Sequence, residues 1–294
     1  MKLLKKISKF YVVGLTFSCA MSVSHAAGHY VPGVEGIEIS SAPPPGFYNL
    51  DYFVNYSISS ISGAPGNNSG NISAVVERPV WITNQKILGA NYGMEAVIPL
   101  QANSFTFNGL GYSGTSRGLG DIYVGPVVLA WHGANWDTLF LLGEWLDSGR
   151  YSKNNPSSVG LGYNGTMVSL GGTYYIGAKK EWSLSALARL EKNSVQQETG
   201  ITPGNEFTVE WGIGHSIGGG KKIGLVGYYQ EQTTSDSGLA ASSLKPKKSG
   251  VGLEFDYPIL SAGVFLKFAG YTDYAVSGGA PKGNLLRVEV VKAF

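Results

Sequence analysis

The feature that most constrains this chain is a strict period of two. Across Phe47–Ile58, the residues Tyr48, Leu50, Tyr52, Val54, Tyr56 and Ile58 share one face, and Phe47, Asn49, Asp51, Phe53, Asn55 and Ser57 share the other. Side chains of a strand alternate between faces, so a segment of this kind is a β-strand with one apolar side. The pattern recurs. Leu88, Ala90, Tyr92, Met94, Ala96, Ile98 and Leu100 oppose Asn91, Gly93 and Glu95. Val168, Leu170, Tyr174 and Ile176 oppose Ser169, Gly171 and Thr173, and Val251, Leu253, Phe255 and Tyr257 oppose Glu254 and Asp256. Twelve strands are expected, near 47–58, 73–83, 87–101, 118–131, 138–148, 166–178, 182–192, 206–217, 222–233, 249–259, 261–272 and 284–294. The spans 118–131 and 222–233 are apolar on both faces, so their sidedness is undefined.

The connections separate a soluble sandwich from a membrane barrel. Short ones are expected at Asn84–Lys86, His132–Asp137, Lys179–Glu181, Gly218–Lys221 and near Leu260. Long polar ones are expected at 59–72, 102–117, 149–165, 193–205, 234–248 and 273–283. A sandwich has no reason to alternate in this way, whereas an outer-membrane barrel has short periplasmic turns and long outer loops. Trp81, Trp131, Trp136 and Trp182 all lie at or beside short turns, as an interfacial aromatic girdle requires. The 42 glycines in 294 residues, about twice the usual ~7%, suit a chain of many turns and curved strands. The fold class expected is all-β: a transmembrane antiparallel β-barrel of about twelve strands.

The first 26 residues read as an export signal. Lys2, Lys5, Lys6 and Lys9 precede an apolar stretch from Phe10 to Met21, and Ser24-His25-Ala26 places small residues where a signal peptidase reads. Cleavage is expected between Ala26 and Ala27. The lysines leave with the signal, so 22 bases become 18 against 20 acids and the formal charge moves from +2 to −2. The single cysteine, Cys19, leaves too, which removes disulfides and thiol catalysis from consideration. No basic stripe remains for a nucleic acid. The organisation expected is a signal peptide at 1–26, an N-terminal periplasmic segment or lumen plug at 27–45, and the barrel at 46–294. Tyr30, Pro32, Pro43, Pro44 and Pro45 are the plug candidates, since prolines join neither a helix nor a central strand.

If the longer apolar faces meet lipid, the opposite faces line a wet lumen. That assigns Asp51, Asn55, Asn91, Glu95, Glu144, Arg189, Glu210, Glu254, Asp256, Lys267, Arg287 and Glu289 to the lumen. Catalytic and metal motifs are missing from the sequence. Gly109-Leu110-Gly111-Tyr112-Ser113-Gly114 and Gly160-Leu161-Gly162-Tyr163-Asn164-Gly165 match a dinucleotide fingerprint in letters only, because neither opens a helix after a strand. His29, His132 and His215 have no metal-ligand spacing. His215-Ser216 is the only adjacent base–hydroxyl pair, and neighbours on a strand point to opposite faces. No enzyme activity and no cofactor are expected.

Several blocks carry a family resemblance. Tyr30-Val31-Pro32-Gly33, then Pro43-Pro44-Pro45-Gly46-Phe47-Tyr48-Asn49-Leu50-Asp51-Tyr52, resembles the start of the phenol-degradation meta-pathway (MetA) family of outer-membrane proteins, the SphA-like barrels. Gly118-Leu119-Gly120-Asp121 with Ala130-Trp131-His132 resembles a second block, Tyr151 to Asn164 a third, and Gly227-Tyr228-Tyr229-Gln230 with Asp236-Ser237-Gly238 a fourth. The final strand departs somewhat, with Lys292 where an outward apolar residue is expected. The resemblance implies a Gram-negative outer-membrane barrel for passive uptake of small hydrophobic or aromatic compounds. The alternatives are a structural or surface-adhesive barrel without transport and, third, a barrel enzyme acting on lipid. The expected partners are outer-membrane lipid, a small hydrophobic solute, and the barrel-assembly machinery through the final strand ending at Phe294.

Overall fold

The computed structural model describes residues 28–239 and 241–294. The export signal and its cleavage point at Ala26 and Ala27 lie outside the described residues. Thirteen strands form one sheet: β1 (Gly46–Ile61), β2 (Asn68–Ile87), β3 (Ala90–Phe107), β4 (Tyr112–Leu119), β5 (Ile122–His132), β6 (Trp136–Leu146), β7 (Gly165–Ile176), β8 (Trp182–Asn193), β9 (Glu206–Gly218), β10 (Lys221–Gln232), β11 (Lys247–Ile259), β12 (Val264–Ser277) and β13 (Pro281–Ala293). Every pairing is antiparallel, and β13 pairs with β1 to close the sheet. β4 and β5 occupy one position in the wall. β4 pairs with the outer half of β3, β5 pairs with its inner half, and the strand breaks at Gly120-Asp121. The wall is therefore a closed barrel of twelve positions, which leaves no free sheet edge in lipid.

Outward side chains between the girdles are mostly apolar and exposed, including Leu170, Leu190, Leu253 and Leu286 at 57–64%. No helix among the described residues is long and apolar enough to cross a membrane; the strands do so. Trp81, Trp136 and Trp182 stand exposed near the periplasmic turns.

The connections differ from expectation at several points. The β2–β3 turn is not at Asn84–Lys86, which lie in β2, but at Leu88-Gly89. Both turn residues have positive φ, 52° and 81°, the backbone of a tight hairpin. The polar stretches 59–72, 102–117 and 273–283 are largely strand: only Ser62–Asn67, Asn108–Gly111 and Gly278–Ala280 separate the paired strands. Above the apolar band the outward face turns polar, as at Ser104 and Thr106 beside the buried Phe105 and Phe107, while the backbone ladder continues. The long connections are 147–164, 194–205 and 233–246.

Candidate functional site

The lumen is occupied by the segment that precedes β1. Residues 28–42 run inside the barrel from its outer half to the periplasmic end, and Ile37, Ile39 and Ser40 are buried against the wall. Pro32 is buried in the lumen. Pro44 and Pro45 are exposed and Pro43 half-buried at the periplasmic end, where the Tyr48 hydroxyl donates to the Pro44 carbonyl at 2.8 Å. Pro44 and Pro45 therefore shape the start of β1 and do not occupy the lumen.

Charge fixes the segment at its centre. The Glu35 carboxylate sits between two guanidinium groups, accepting from Arg78 Nη1 at 3.1 Å and Arg189 Nη2 at 2.6 Å. Arg78 also donates to Glu95 at 2.7 Å and to the Tyr52 hydroxyl at 3.1 Å. Arg189 also donates to Glu210 at 3.1 Å. Glu210 in turn accepts from the Tyr30 hydroxyl and from the Gly33 N–H, the latter at 2.7 Å. Burial opposes ionisation of Glu35, but Arg78 and Arg189 outweigh it and hold its pKa below the usual carboxylate value. Arg287 Nη1 donates to the Val34 and Glu35 carbonyls at 2.5 Å each, and its Nη2 donates to Glu254 at 2.5 Å. Glu254 accepts the Ile37 N–H at 3.0 Å. Nearer the periplasm, Lys222 pairs with Glu38, and the Ser40 hydroxyl donates to the Ala186 carbonyl at 2.8 Å.

His29 anchors the outer end. Its ring stacks on Trp145 at 5.5 Å, with Nδ1 2.6 Å from Glu191 and Nε2 3.5 Å from Asp121. Burial works against the charged imidazole; the Glu191 and Asp121 carboxylates more than offset it, so its pKa is raised. Asp121 sits at the β4–β5 break and also accepts the Gly149 and Leu161 N–H groups at 2.9 and 2.7 Å. It thereby ties the 147–164 connection over the outer end of the lumen. That connection inserts: Val159 and Tyr163 are buried, and Asn103 donates to the Ser158 carbonyl at 2.8 Å.

Between the segment, this connection and the wall lies a cavity of about 240 Å³. Its apolar side is Tyr52, Val54, Tyr56 and Ile58 of β1 with Phe105 and Phe107 of β3. Its polar side holds Arg78, Glu95, Arg189 and Lys248.

Nine of the residues assigned to the lumen face it: Asn91, Glu95, Arg189, Glu210, Glu254, Asp256, Lys267, Arg287 and Glu289. Three do not. Asp51 and Asn55 lie outside, because β1 turns its Tyr48–Ile58 face inward. Glu144 also lies outside, near the outer end of β6, accepting from the Thr166 hydroxyl at 2.7 Å. Alternation fixes which residues share a face but not which face is in. On β1 the apolar face turns inward and the mixed face outward, so polarity misleads. Glu35, Arg78, Asp121 and Asp273 were not singled out. Arg78 sits one residue before Pro79 in a span read as β2, and its inward direction follows only from pairing with Leu50.

A closed antiparallel barrel with an outward apolar band and an aromatic girdle defines an outer-membrane β-barrel protein. A crystallised COG4313 outer membrane channel from Pseudomonas putida F1 superposes with a TM-score of 0.75 at 13% identity, over 90% of this chain and 100% of that one. The transport unit of the autotransporter AIDA-I from Escherichia coli gives 0.54 at 12% identity, over 94% and 97%. At these identities the likeness is one of fold. The family model for the MetA-pathway of phenol degradation matches residues 46–284, and the chain belongs to that family. No curated protein matches the sequence.

Proposed function

We propose that this protein is an outer-membrane channel for passive uptake of small hydrophobic or aromatic compounds, with residues 28–42 acting as a plug. The observation that carries the reading is the inverted β1. It lines the outer half of the lumen with Tyr52, Val54, Tyr56 and Ile58, opposite Phe105 and Phe107. A general polar-solute pore has no use for that wall. The cavity of about 240 Å³ exceeds the ~150 Å³ apolar cavity that holds benzene, so it admits one substituted aromatic ring. The adjoining Arg78–Glu95–Arg189 edge gives a ring hydroxyl or carboxyl a polar partner. Solute would pass beneath the 147–164 connection, rest against β1 and β3, and leave when the plug shifts. The family's link to phenol degradation supports this substrate class.

Trp145 lines the cavity and reports on its occupancy. Fluorescence titration of the detergent-purified protein with toluene or phenol is expected to change Trp emission saturably, and a monosaccharide is expected to leave it unchanged. The companion measurement is uptake of a labelled monocyclic aromatic by cells with and without the protein. Equal responses to sugar and aromatic, or uptake indifferent to the protein, would overturn the substrate class.

A further inference from the structure

The inversion of β1 also has an effect outside the barrel. Rows of outward side chains can be followed across the wall from the strand register. One row runs Val288, Phe53, Val75, Leu100, Leu119 and is apolar. The row above it runs Leu286, Asn55, Ser73, Ala102, Arg117, and the row below runs Val290, Asp51, Glu77, Ile98. Leu286 to Val290 is the apolar band of β13, so Asp51, Asn55, Ser73 and Glu77 sit at lipid depth. Phe47, which touches Phe294 at 5.9 Å, marks the periplasmic girdle. At about 2.5 Å of height per tilted residue, Asp51 lies roughly 10 Å and Asn55 roughly 20 Å above it, inside an apolar band about 25 Å tall. Across β7–β12 the outward positions are apolar instead, with Leu170, Leu184, Leu190, Leu225, Leu253 and Phe268 exposed.

The polar strip is organised. Asn55 Nδ2 donates to Asn71 at 3.0 Å and Ser73 at 2.9 Å, and Asn71 Nδ2 donates to Ser57 at 3.2 Å. Asn49 donates to Asp51 at 2.8 Å. Among the described residues, Glu77 and Arg117 have no ion pair. Charges on a lipid-facing wall are destabilising, and here Asp51, Glu77 and Arg117 all lie on the outward face.

We infer that the outer face of β13–β1–β2–β3 is covered by a second copy of this chain, joined by a two-fold axis along the membrane normal. Such an axis sets each height against itself. The amides and hydroxyls of Asn55, Asn71 and Ser73 suit that constraint because each both donates and accepts. The same rotation lays β13 of one copy over β2 of the other. A hetero-partner or a lipid headgroup would not require a self-matching row.

Cross-linking in intact outer membranes tests this, with Cys19 replaced by Ser so that each variant carries one cysteine. Ser73→Cys with a short thiol cross-linker is expected to give a species of twice the monomer mass, and Leu170→Cys on the opposite wall only monomer. Adding Asp51→Val, Asn55→Leu and Glu77→Leu to Ser73→Cys is expected to cut the cross-linked fraction at least tenfold, with heat-modifiable gel mobility retained. If that variant does not fold, the Ser73→Cys and Leu170→Cys comparison decides alone. A monomeric Ser73→Cys, equal cross-linking of both positions, or an adduct of another mass would overturn the inference.

Discussion

Glu35 is the residue on which the plug turns, and Glu35→Gln is the perturbation that exposes it. Among the described residues its side chain is the one carboxylate bridging Arg78 and Arg189, with both guanidiniums at 3.1 Å or less. Arg189 is 4% exposed and Arg78 14%, so little water replaces what is lost. Removing one member of a buried ion pair costs about 3–5 kcal/mol when its partner is left uncompensated. Here each arginine keeps a second carboxylate, Glu95 at 2.7 Å and Glu210 at 3.1 Å, and the Gln amide retains one acceptor. The loss therefore falls at or below the bottom of that range, about 2–3 kcal/mol. At 1.4 kcal/mol per tenfold, the docked-to-undocked ratio drops about 30- to 150-fold. The wall keeps all of its strand pairings, so the barrel itself stays folded. Single-channel recording in planar bilayers is the assay. Wild type is expected to show rare, brief openings and Glu35→Gln long-lived ones of larger conductance. Deleting residues 28–42 should give the same conductance permanently. If Glu35→Gln and the deletion both record like wild type with normal heat-modifiable mobility, the segment does not gate the lumen and the reasoning fails.

Other expectations follow from the same contacts. The His29 pKa is raised in the folded state, so its anchoring contribution is complete below the ordinary imidazole value of about 6.5 and is lost as pH rises through the raised value. Channel openings should thus increase on raising the pH through that window, and His29→Ala should open at all pH values; a flat wild-type profile counts against the anchor. At Gly36 the backbone has φ 98° and a Cβ would overlap the Glu254 carboxylate. Gly36→Val should therefore undock the plug about as fully as Glu35→Gln, read as faster hydrogen exchange of residues 30–42 with unchanged exchange of β8–β11. Val54→Trp places an indole in the cavity against Phe105 and Phe107, and should lower aromatic uptake severalfold without changing heat-modifiable mobility.

How far the sequence carried this depends on what each pattern encodes. Strand number, four of the five periplasmic turns and the outward band were legible because Leu170, Leu253 and their neighbours alternate with polar residues in a period only strands share. The outer loops were overdrawn at 102–117 because hydrophilicity there marks the end of the membrane, not the end of the strand. The plug network was hidden for a different reason. Glu35 meets Arg189 across 154 residues and Arg287 meets Glu254 across 33, and no local spacing records such pairs. Arg189 and Arg287 were legible as lumen residues, but Arg78 and the common target of all three on the preceding segment were not.

The sidedness of β1 shows where period-two reasoning stops and what the structure adds. Both faces of Phe47–Ile58 contain aromatics, and the pattern is symmetric under exchange of inside and outside, so polarity alone assigns the more polar face to the lumen. The register removes the ambiguity. Val54 is opposite Arg287 on β13, whose side chain is fully buried against Glu254, and directly paired residues share a face. Val54 must point inward with Arg287, and Asn55 must point outward. One constraint then sets two properties. An apolar wall enters an otherwise charged lumen, which favours a ring over a sugar. The displaced polar residues reach the outer surface, where lipid cannot satisfy them and a second copy can. Exchanging Val54 and Asn55 through the double variant Val54→Asn, Asn55→Val separates the two. It should weaken both aromatic binding and Ser73→Cys cross-linking, whereas Val54→Asn alone should affect only binding. Loss of cross-linking in that single variant would mean the outer strip is not an interface in its own right.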